Sequence, residues 1–180
     1  MIKTTLKTFE FTKIIGQENI NFGDYIIIDD FVLLYAKSFV HIGNYVHIAS
    51  FTSITAVEKL FIGDFVAISQ GCRILTASDD FKNHGFGNST IDDKYRNIQS
   101  KEIKINNFCI IGANSVILPG VTLGEGCSIG ANSVITKNTE PWSIYIGNKK
   151  IGERNKKAIL QNYLTFQENS ISDKMGNLFK

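Results

Sequence analysis

The sequence predicts an all-β solenoid built from short strands and tight corners. The first observation is that large apolar residues fall at every sixth position over most of the chain. The second is an excess of isoleucine, which accounts for 27 of the 180 residues. The third is the spacing of glycines, which is 20 residues from Gly23 to Gly43 and Gly63, and 18 residues from Gly112 to Gly130. Self-similarity at such a period is typical of solenoids, in which each repeat contacts only its neighbours.

The six-residue period defines the coils of this solenoid. It matches neither an amphipathic helix nor a half-buried strand, but it fits short strands that are each followed by a corner. Three such units form one coil, and successive coils pair at about 4.8 Å, as in any sheet. Glycine and asparagine are expected at the corners that need a positive φ. The apolar anchors that would fill the interior are Phe22, Ile28, Leu34, Ile42, Ile48, Ile54, Ile62, Ile68, Ile74, Ile105, Ile111, Ile117, Leu123, Ile129 and Ile135.

The period also sets the predicted domain bounds. Residues 1–14 form an N-terminal lead-in, and residues 15–140 form the solenoid. The period lapses after Ile74 and resumes at Ile105, which predicts an excursion loop at about 79–102. This insert is polar and rich in glycine and asparagine, and loops of this length usually carry function.

The C-terminal extension, residues 141–180, changes character. A helix is predicted from Gly152 to Gln167, because Ile159, Leu160, Tyr163 and Leu164 fall on one face of it. The open end of a solenoid needs covering, so we expect this helix to cap the last coil.

Composition excludes several classes of protein. The chain has 19 Lys and Arg against 17 Asp and Glu, a net charge of +2, which argues against a strongly basic nucleic-acid-binding protein. Asp, Asn and Gly interrupt every apolar run, so neither a secretory leader nor a membrane span is expected, and the cytoplasm is the default compartment. Cys72, Cys109 and Cys127 fit neither a disulfide framework nor a metal site, and they occupy the small interior place of the repeat.

The repeat carries a resemblance to a known family. The segments Ile42–Val46, Ile62–Val66, Ile111–Ser115 and Ile129–Ser133 follow the pattern aliphatic–Gly/Ala/Asp–x–x–small. This pattern resembles that of the hexapeptide-repeat acyltransferases, which fold as a left-handed parallel β-helix. The chain is similar to the galactoside and maltose acetyltransferases and to the sugar acetyltransferases of surface-polysaccharide pathways.

The resemblance implies an activity and partners. It implies an acetyl-CoA-dependent O- or N-acetyltransferase that acts on a sugar or nucleotide-linked sugar in polysaccharide biosynthesis. The co-substrate is acetyl-CoA, no metal is expected, and no covalent nucleophile is evident, so transfer is direct. The resemblance also implies a homotrimer, in which the excursion loop reaches a neighbouring subunit.

The general base is sought among three histidines, because imidazole titrates near neutral pH. In the galactoside and maltose enzymes a His-Pro pair begins the loop, whereas Asp79 and Asp80 stand there in this chain. The surface-polysaccharide relatives that the chain resembles have an Asp-Asp at this point and a histidine on the preceding coil. The resemblance therefore favours His47 as the base, with Asp79 or Asp80 orienting it from an adjacent subunit. His84, in the loop, is the reserve candidate. His41 and His47 each precede an anchor and are expected at outward-facing corners.

The late coils are where the resemblance places the cofactor. Stacked small residues there would form a groove that the pantetheine can approach, and nearby cations suit the phosphates of CoA. The positions that match the cofactor-binding positions of the family are Ala113, Ala131, Thr136, Lys137 and Arg154.

Two other interpretations stay open. A γ-type carbonic anhydrase shares the β-helix and binds zinc through three histidines, but His41 and His47 would point apart. A non-catalytic β-helical assembly subunit would share the repeat and would not bind CoA.

Overall fold

The chain forms a parallel β-helix whose three sheets are the faces of a triangular prism. This computed structural model describes the backbone of residues 5–176 and the side chains of residues 5–169. Each coil contributes one short strand to each face, so neighbours within a sheet come from successive coils. The one long helix is Lys156–Gly176, and single 3₁₀ turns lie at Gln17–Asn19 and Asp93–Tyr95.

Face 1 holds eight strands, of which all but the last are parallel: Leu6–Thr8, Ile26–Ile28, His47–Ile48, Ala67–Ile68, Ile110–Ile111, Ser128–Ile129, Ser143–Ile146 and Lys149–Glu153. Face 2 holds six: Lys13–Ile15, Leu33–Ala36, Ser53–Ala56, Arg73–Leu75, Val116–Ile117 and Val134–Ile135. Face 3 holds five: Ile20–Phe22, Val40–Ile42, Leu60–Ile62, Ile103–Ile105 and Thr122–Leu123.

The predicted anchors fill the interior of the prism. On face 1, Ile28 pairs with Ile48, Ile48 with Ile68, Ile68 with Ile111, and Ile111 with Ile129. Fourteen of the fifteen anchors are buried, with at most 3% of their surface exposed, and Phe22 packs against them partly buried. The prediction that the residues at the six-residue period fill the interior is therefore confirmed. Such a stack of isoleucines suits a narrow core because β-branched side chains pack well on a pleated surface.

The β-helix is longer at both ends than the predicted 15–140. Leu6–Thr8 pairs with Ile26–Ile28, and Ser143–Ile146 pairs with Ser128–Ile129. At the C-terminal end the step from Ile129 to its partner Tyr145 is 16 residues, so the six-residue period does not extend to this strand.

The corners differ from the prediction. Asparagine and glycine do occupy some left-handed positions, but aromatic residues occupy seven: Tyr25, Phe31, Tyr45, Phe51, Phe65, Phe108 and Trp142. A left-handed conformation costs about 1–2 kcal/mol for such residues. Stacking between coils offsets this cost, because Tyr25, Tyr45 and Phe65 lie with ring centroids 4.7 and 4.8 Å apart. We call the row that these residues form with Phe108 the aromatic ladder, at the corner between faces 3 and 1.

The C-terminal helix lies along this ladder and does not cap the last coil, so that prediction is wrong. It begins at Lys156, four residues later than predicted, because Gly152 lies in the strand Lys149–Glu153. Tyr163 packs edge-on against Phe65, and Phe166 packs edge-on against Phe65 and Tyr45. The helix therefore runs back towards the N-terminal coils. It is not apolar enough to cross a membrane, and neither is any other helix in residues 5–176.

The excursion loop leaves the prism at the corner between faces 2 and 3. Its two ends pair as an antiparallel ribbon, Ala77–Ser78 with Gln99–Ser100. This ribbon carries the predicted loop away from the coil and returns the chain to the strand Ile103–Ile105.

Candidate active site

His47 lies on the outer surface of face 1, beside a recess of about 300 Å³. Its strand pairs with Ala67–Ile68 of the next coil, and the following corner supplies Ser69. Ala113, from the coil above, closes the recess. The structure thus brings together the predicted base and one predicted cofactor-binding residue. Ser69 is a half-buried polar neighbour that the sequence interpretation missed.

The carboxylate that contacts His47 within the chain is Asp29. His47 Nε2 lies 3.1 Å from Asp29 Oδ2, with half of the imidazole and 27% of the carboxylate side chain exposed. When Nε2 carries the proton it donates to Asp29, and Nδ1 keeps a lone pair that can accept a proton. Asp29 lies on the preceding coil, where Ile27 is the strand partner of His47. The 20-residue step of the early coils was the signal that could have identified Asp29.

His41 and His47 lie within strands, and the prediction that they occupy corners is wrong. His41 is the central residue of Val40–Ile42 on face 3, whereas His47 opens its strand on face 1. The corner between them is Gly43 to Tyr45, where the chain turns through a positive φ. His41 Nδ1 lies 3.2 Å from Asn21 Nδ2. His41 and His47 therefore do not converge, and the side chains of residues 5–169 include no group of three His, Cys, Asp or Glu that could hold a metal.

Asp80 organises the excursion loop. Its Oδ1 accepts hydrogen bonds from the backbone N–H groups of Lys82 and Asn83, and its Oδ2 accepts from Gly85 N and Asn97 Nδ2. The hydrogen bonds from these donors hold the pKa of Asp80 well below its ordinary value, and those from the backbone groups of Asn83 and Lys82 contribute most. A carboxylate with both oxygens engaged in this way supports the loop.

Asp79 has a different partner from its neighbour. Its Oδ1 lies 2.9 Å from Arg96 Nη2, within the loop. Neither Asp79 nor Asp80 contacts His47 in the described part of the chain, because the loop leaves from another corner of the prism. His84 is exposed on the loop. Contact between the excursion loop and His47 therefore requires two different subunits.

The remaining cofactor candidates lie around the last coils. Ala131 follows Ser128–Ile129 at the same corner as Ala113, and a Cβ at Gly112 would lie 2.5 Å from Ala131 N, so the coils approach closely there. Thr136 accepts a hydrogen bond from Asn148 Nδ2 at its Oγ1, 2.7 Å away. Lys137 is exposed beside it.

Arg154 is held by the backbone. Its Nη1 donates to the carbonyls of Phe108 and Gly126 at 2.6 and 2.8 Å, and its side chain is half-buried. These bonds join the residue after the C-terminal strand to the corner between faces 3 and 1 on two successive coils. The position of Nη1 indicates a structural role, and a phosphate would have to use the other guanidinium nitrogens.

The three cysteines lie inside the prism, as the repeat predicted. Each has 0% of its surface exposed. Burial raises the pKa of the Cys109 thiol to about 12, and it raises the pKa of Cys72 and Cys127 as well. A nucleophilic cysteine needs a thiolate, so these side chains act as small apolar groups.

Comparison with known proteins agrees with this architecture. Residues 102–137 match the family model described as bacterial transferase hexapeptide (six repeats). The dTDP-4-amino-4,6-dideoxy-D-glucose acyltransferase of Escherichia coli is 32% identical over 163 residues, which are 89% of this chain and 84% of that protein.

Solved structures extend the comparison. A serine-to-cysteine variant of AntD, an N-acyltransferase from Bacillus cereus, in complex with dTDP-4-amino-4,6-dideoxyglucose and coenzyme A, has a TM-score of 0.85 at 30% identity, covering 91% of this chain and 88% of AntD. AntD with dTDP and 3-hydroxybutyryl-CoA has a TM-score of 0.83 at 32% identity, with coverages of 91% and 88%. Structures of AntD also include variants at an aspartate ten residues after that serine.

A maltose O-acetyltransferase from Clostridium difficile shares the fold alone, with a TM-score of 0.55 at 21% identity, covering 84% of this chain and 68% of that one. The repeats, the three-faced prism and these matches agree. The chain therefore belongs to the hexapeptide-repeat acyltransferases and has their left-handed parallel β-helix.

Proposed function

We propose that this protein transfers an acyl group from acyl-CoA to the amino group of a dTDP-linked 4-amino-4,6-dideoxyhexose. The observation that carries this proposal is the match over nine-tenths of the chain to AntD in complex with dTDP-4-amino-4,6-dideoxyglucose and coenzyme A. The Escherichia coli relative is named for the same acceptor. Such an acylated sugar nucleotide would serve polysaccharide assembly in the cytoplasm.

The reaction can be written with the chain's own residues. The acceptor nitrogen attacks the thioester carbonyl carbon, an N–C bond forms, and the C–S bond breaks to release CoA. His47, held by Asp29, takes the proton from the nitrogen at Nδ1 and returns it to the departing sulfur. No covalent enzyme intermediate is needed.

Ser69 and Asp79 are proposed to contact the acceptor. They are ten residues apart, the spacing of the two variant positions in AntD, and no other serine of this chain has an aspartate ten residues after it. Ser69 lines the recess beside His47. A carboxylate such as Asp79 can accept a hydrogen bond from the amino group of the acceptor.

We propose a homotrimer in which each site lies between two subunits. A cyclic trimer uses heterologous contacts, so the His47 recess of one subunit meets a different surface of the next. Phe11, Phe31 and Phe51 form an exposed stacked row, with 56%, 54% and 60% of their surfaces accessible, that offers an apolar contact of this kind.

Release of CoA from acyl-CoA tests the proposed function. We expect turnover with dTDP-4-amino-4,6-dideoxyglucose and either acetyl-CoA or 3-hydroxybutyryl-CoA, and little turnover with maltose or galactosides. Activity with a simple glycoside and none with any amino-sugar nucleotide would contradict the proposal.

Removal of the charge of Lys137 and removal of that of Arg154 are expected to have different effects. Lys137→Ala should raise the KM for acyl-CoA more than it lowers kcat, because a phosphate contact binds ground state and transition state equally. Arg154→Met should lower the Tm, because two carbonyls lose their donor. Steady-state kinetics and thermal unfolding of both variants check this. An unchanged KM in Lys137→Ala would place the phosphates elsewhere.

A further inference from the structure

The two adjacent carboxylates at the start of the excursion loop are not equivalent. Asp80 has both oxygens engaged by donors of the loop itself, whereas Asp79 is engaged at Oδ1 alone. Within the described residues, Asp79 Oδ2 accepts no hydrogen bond, and 34% of the side chain is exposed. One oxygen of Asp79 is therefore available to a donor from outside the loop.

Arg96 determines where that oxygen points. Its side chain is only 13% exposed, and it lies between Asp79 Oδ1 at 2.9 Å from Nη2 and Asp93 Oδ1 at 3.1 Å from Nη1. A planar guanidinium bridges two carboxylates in a fixed geometry, which the single charged atom of a lysine does not reproduce. Arg96 Nε is buried without a hydrogen-bond partner, so the two ion pairs are the contacts that fix the group.

The surroundings place this pair at a cavity. Asp79 and Arg96 both line a recess of about 380 Å³ between the loop and face 2, with Tyr35 and Thr55 on the opposite wall. We infer that Arg96 is a positioning residue of the acceptor site, which holds Asp79 through Oδ1 so that Oδ2 receives the acceptor's amino group. This inference rests on the proposed function.

A double-mutant cycle tests the inference. Arg96→Lys is expected to lower kcat/KM for the amino-sugar acceptor by about 10- to 100-fold, the usual effect of losing a charge-assisted hydrogen bond. The KM for acyl-CoA should not change. In an Asp79→Asn background, the same Arg96→Lys change should cost almost nothing more, because residues that act through one another are not additive.

Asp92→Asn is the matched control. It removes the charge of a carboxylate in the same loop that pairs with Lys94 and not with Arg96, and the Asp92 side chain is 62% exposed, so acceptor kinetics should stay within about twofold of wild type. Acyl-CoA binding by calorimetry shows that each variant is folded, and Arg96→Gln replaces Arg96→Lys in the cycle if the latter fails to bind.

The outcomes separate the two proposals. Additive losses from Arg96→Lys and Asp79→Asn, or equal losses in Arg96→Lys and Asp92→Asn, would show that Arg96 only stabilises the loop and would overturn the inference alone. Wild-type inactivity with every amino-sugar nucleotide would overturn the proposed function and the inference together.

Discussion

Replacement of His47 by alanine is expected to lower kcat by about 10²–10⁴, the usual contribution of a general base. The affinity for acyl-CoA and the oligomeric state should be unchanged, because half of the His47 side chain is exposed and it does not contribute to the isoleucine core. Steady-state kinetics with the amino-sugar nucleotide and calorimetric titration of acyl-CoA measure the two properties separately.

Three further variants serve as comparisons for His47→Ala. Asp29→Asn should lower kcat less than His47→Ala, because the imidazole remains and only its orientation and charge stabilisation are weakened. His41→Ala removes a histidine that pairs with Asn21 on another face, so its kcat should match wild type. His84→Ala should mainly change the KM for the acceptor. An inactive His84→Ala enzyme beside a nearly normal His47→Ala enzyme would place the base on the loop.

The core of this fold could be predicted from sequence because the interior of the prism restricts which side chains can fill it. A narrow prism with short strands needs one large apolar residue per face, and Ile48, Ile68 and Ile111 meet that need in register. The corners follow a weaker rule. Glycine suits a positive φ best, but Tyr45 and Phe65 show that ring stacking between coils can outweigh the backbone cost.

The position of the helix could have been anticipated from the same ladder. Tyr25, Tyr45 and Phe65 recur at 20 residues, the length of the early coils, and therefore had to stack on one corner. A row of rings is apolar surface, and packing of the helix against it removes that surface from water. Tyr163 and Phe166 make this contact.

The candidate site was predicted in part. The resemblance to the family pointed to His47 and to Ala113, which line one recess. Asp29 and Ser69 were missed because their relation to His47 exists only across coils, where the relevant neighbours are about 20 residues away in sequence. The separate roles of Asp79 and Asp80 depend on hydrogen bonds inside an irregular loop, which no periodicity specifies.

Mixed trimers should recover activity that neither parent variant has. If one subunit supplies His47 and its neighbour supplies Asp79, co-expression of His47→Ala with Asp79→Asn creates contacts that hold both native residues. With equal amounts and random assembly, about three-quarters of trimers are mixed, and each has one intact site in three. The expected rate is therefore about one quarter of the wild-type rate above the parental rates.

The same experiment has an internal control in the His47–Asp29 pair. These two residues touch within one chain, so mixing His47→Ala with Asp29→Asn restores no site and should give only the average of the parental rates. Sedimentation of each mixture reports whether the subunits assemble as trimers. If the His47→Ala and Asp79→Asn mixture also gave only the parental average, Asp79 would not act on the His47 site of a neighbour. A recovery confined to that mixture would require the excursion loop to complete the site across the subunit boundary, because the loop and face 1 do not meet within one chain.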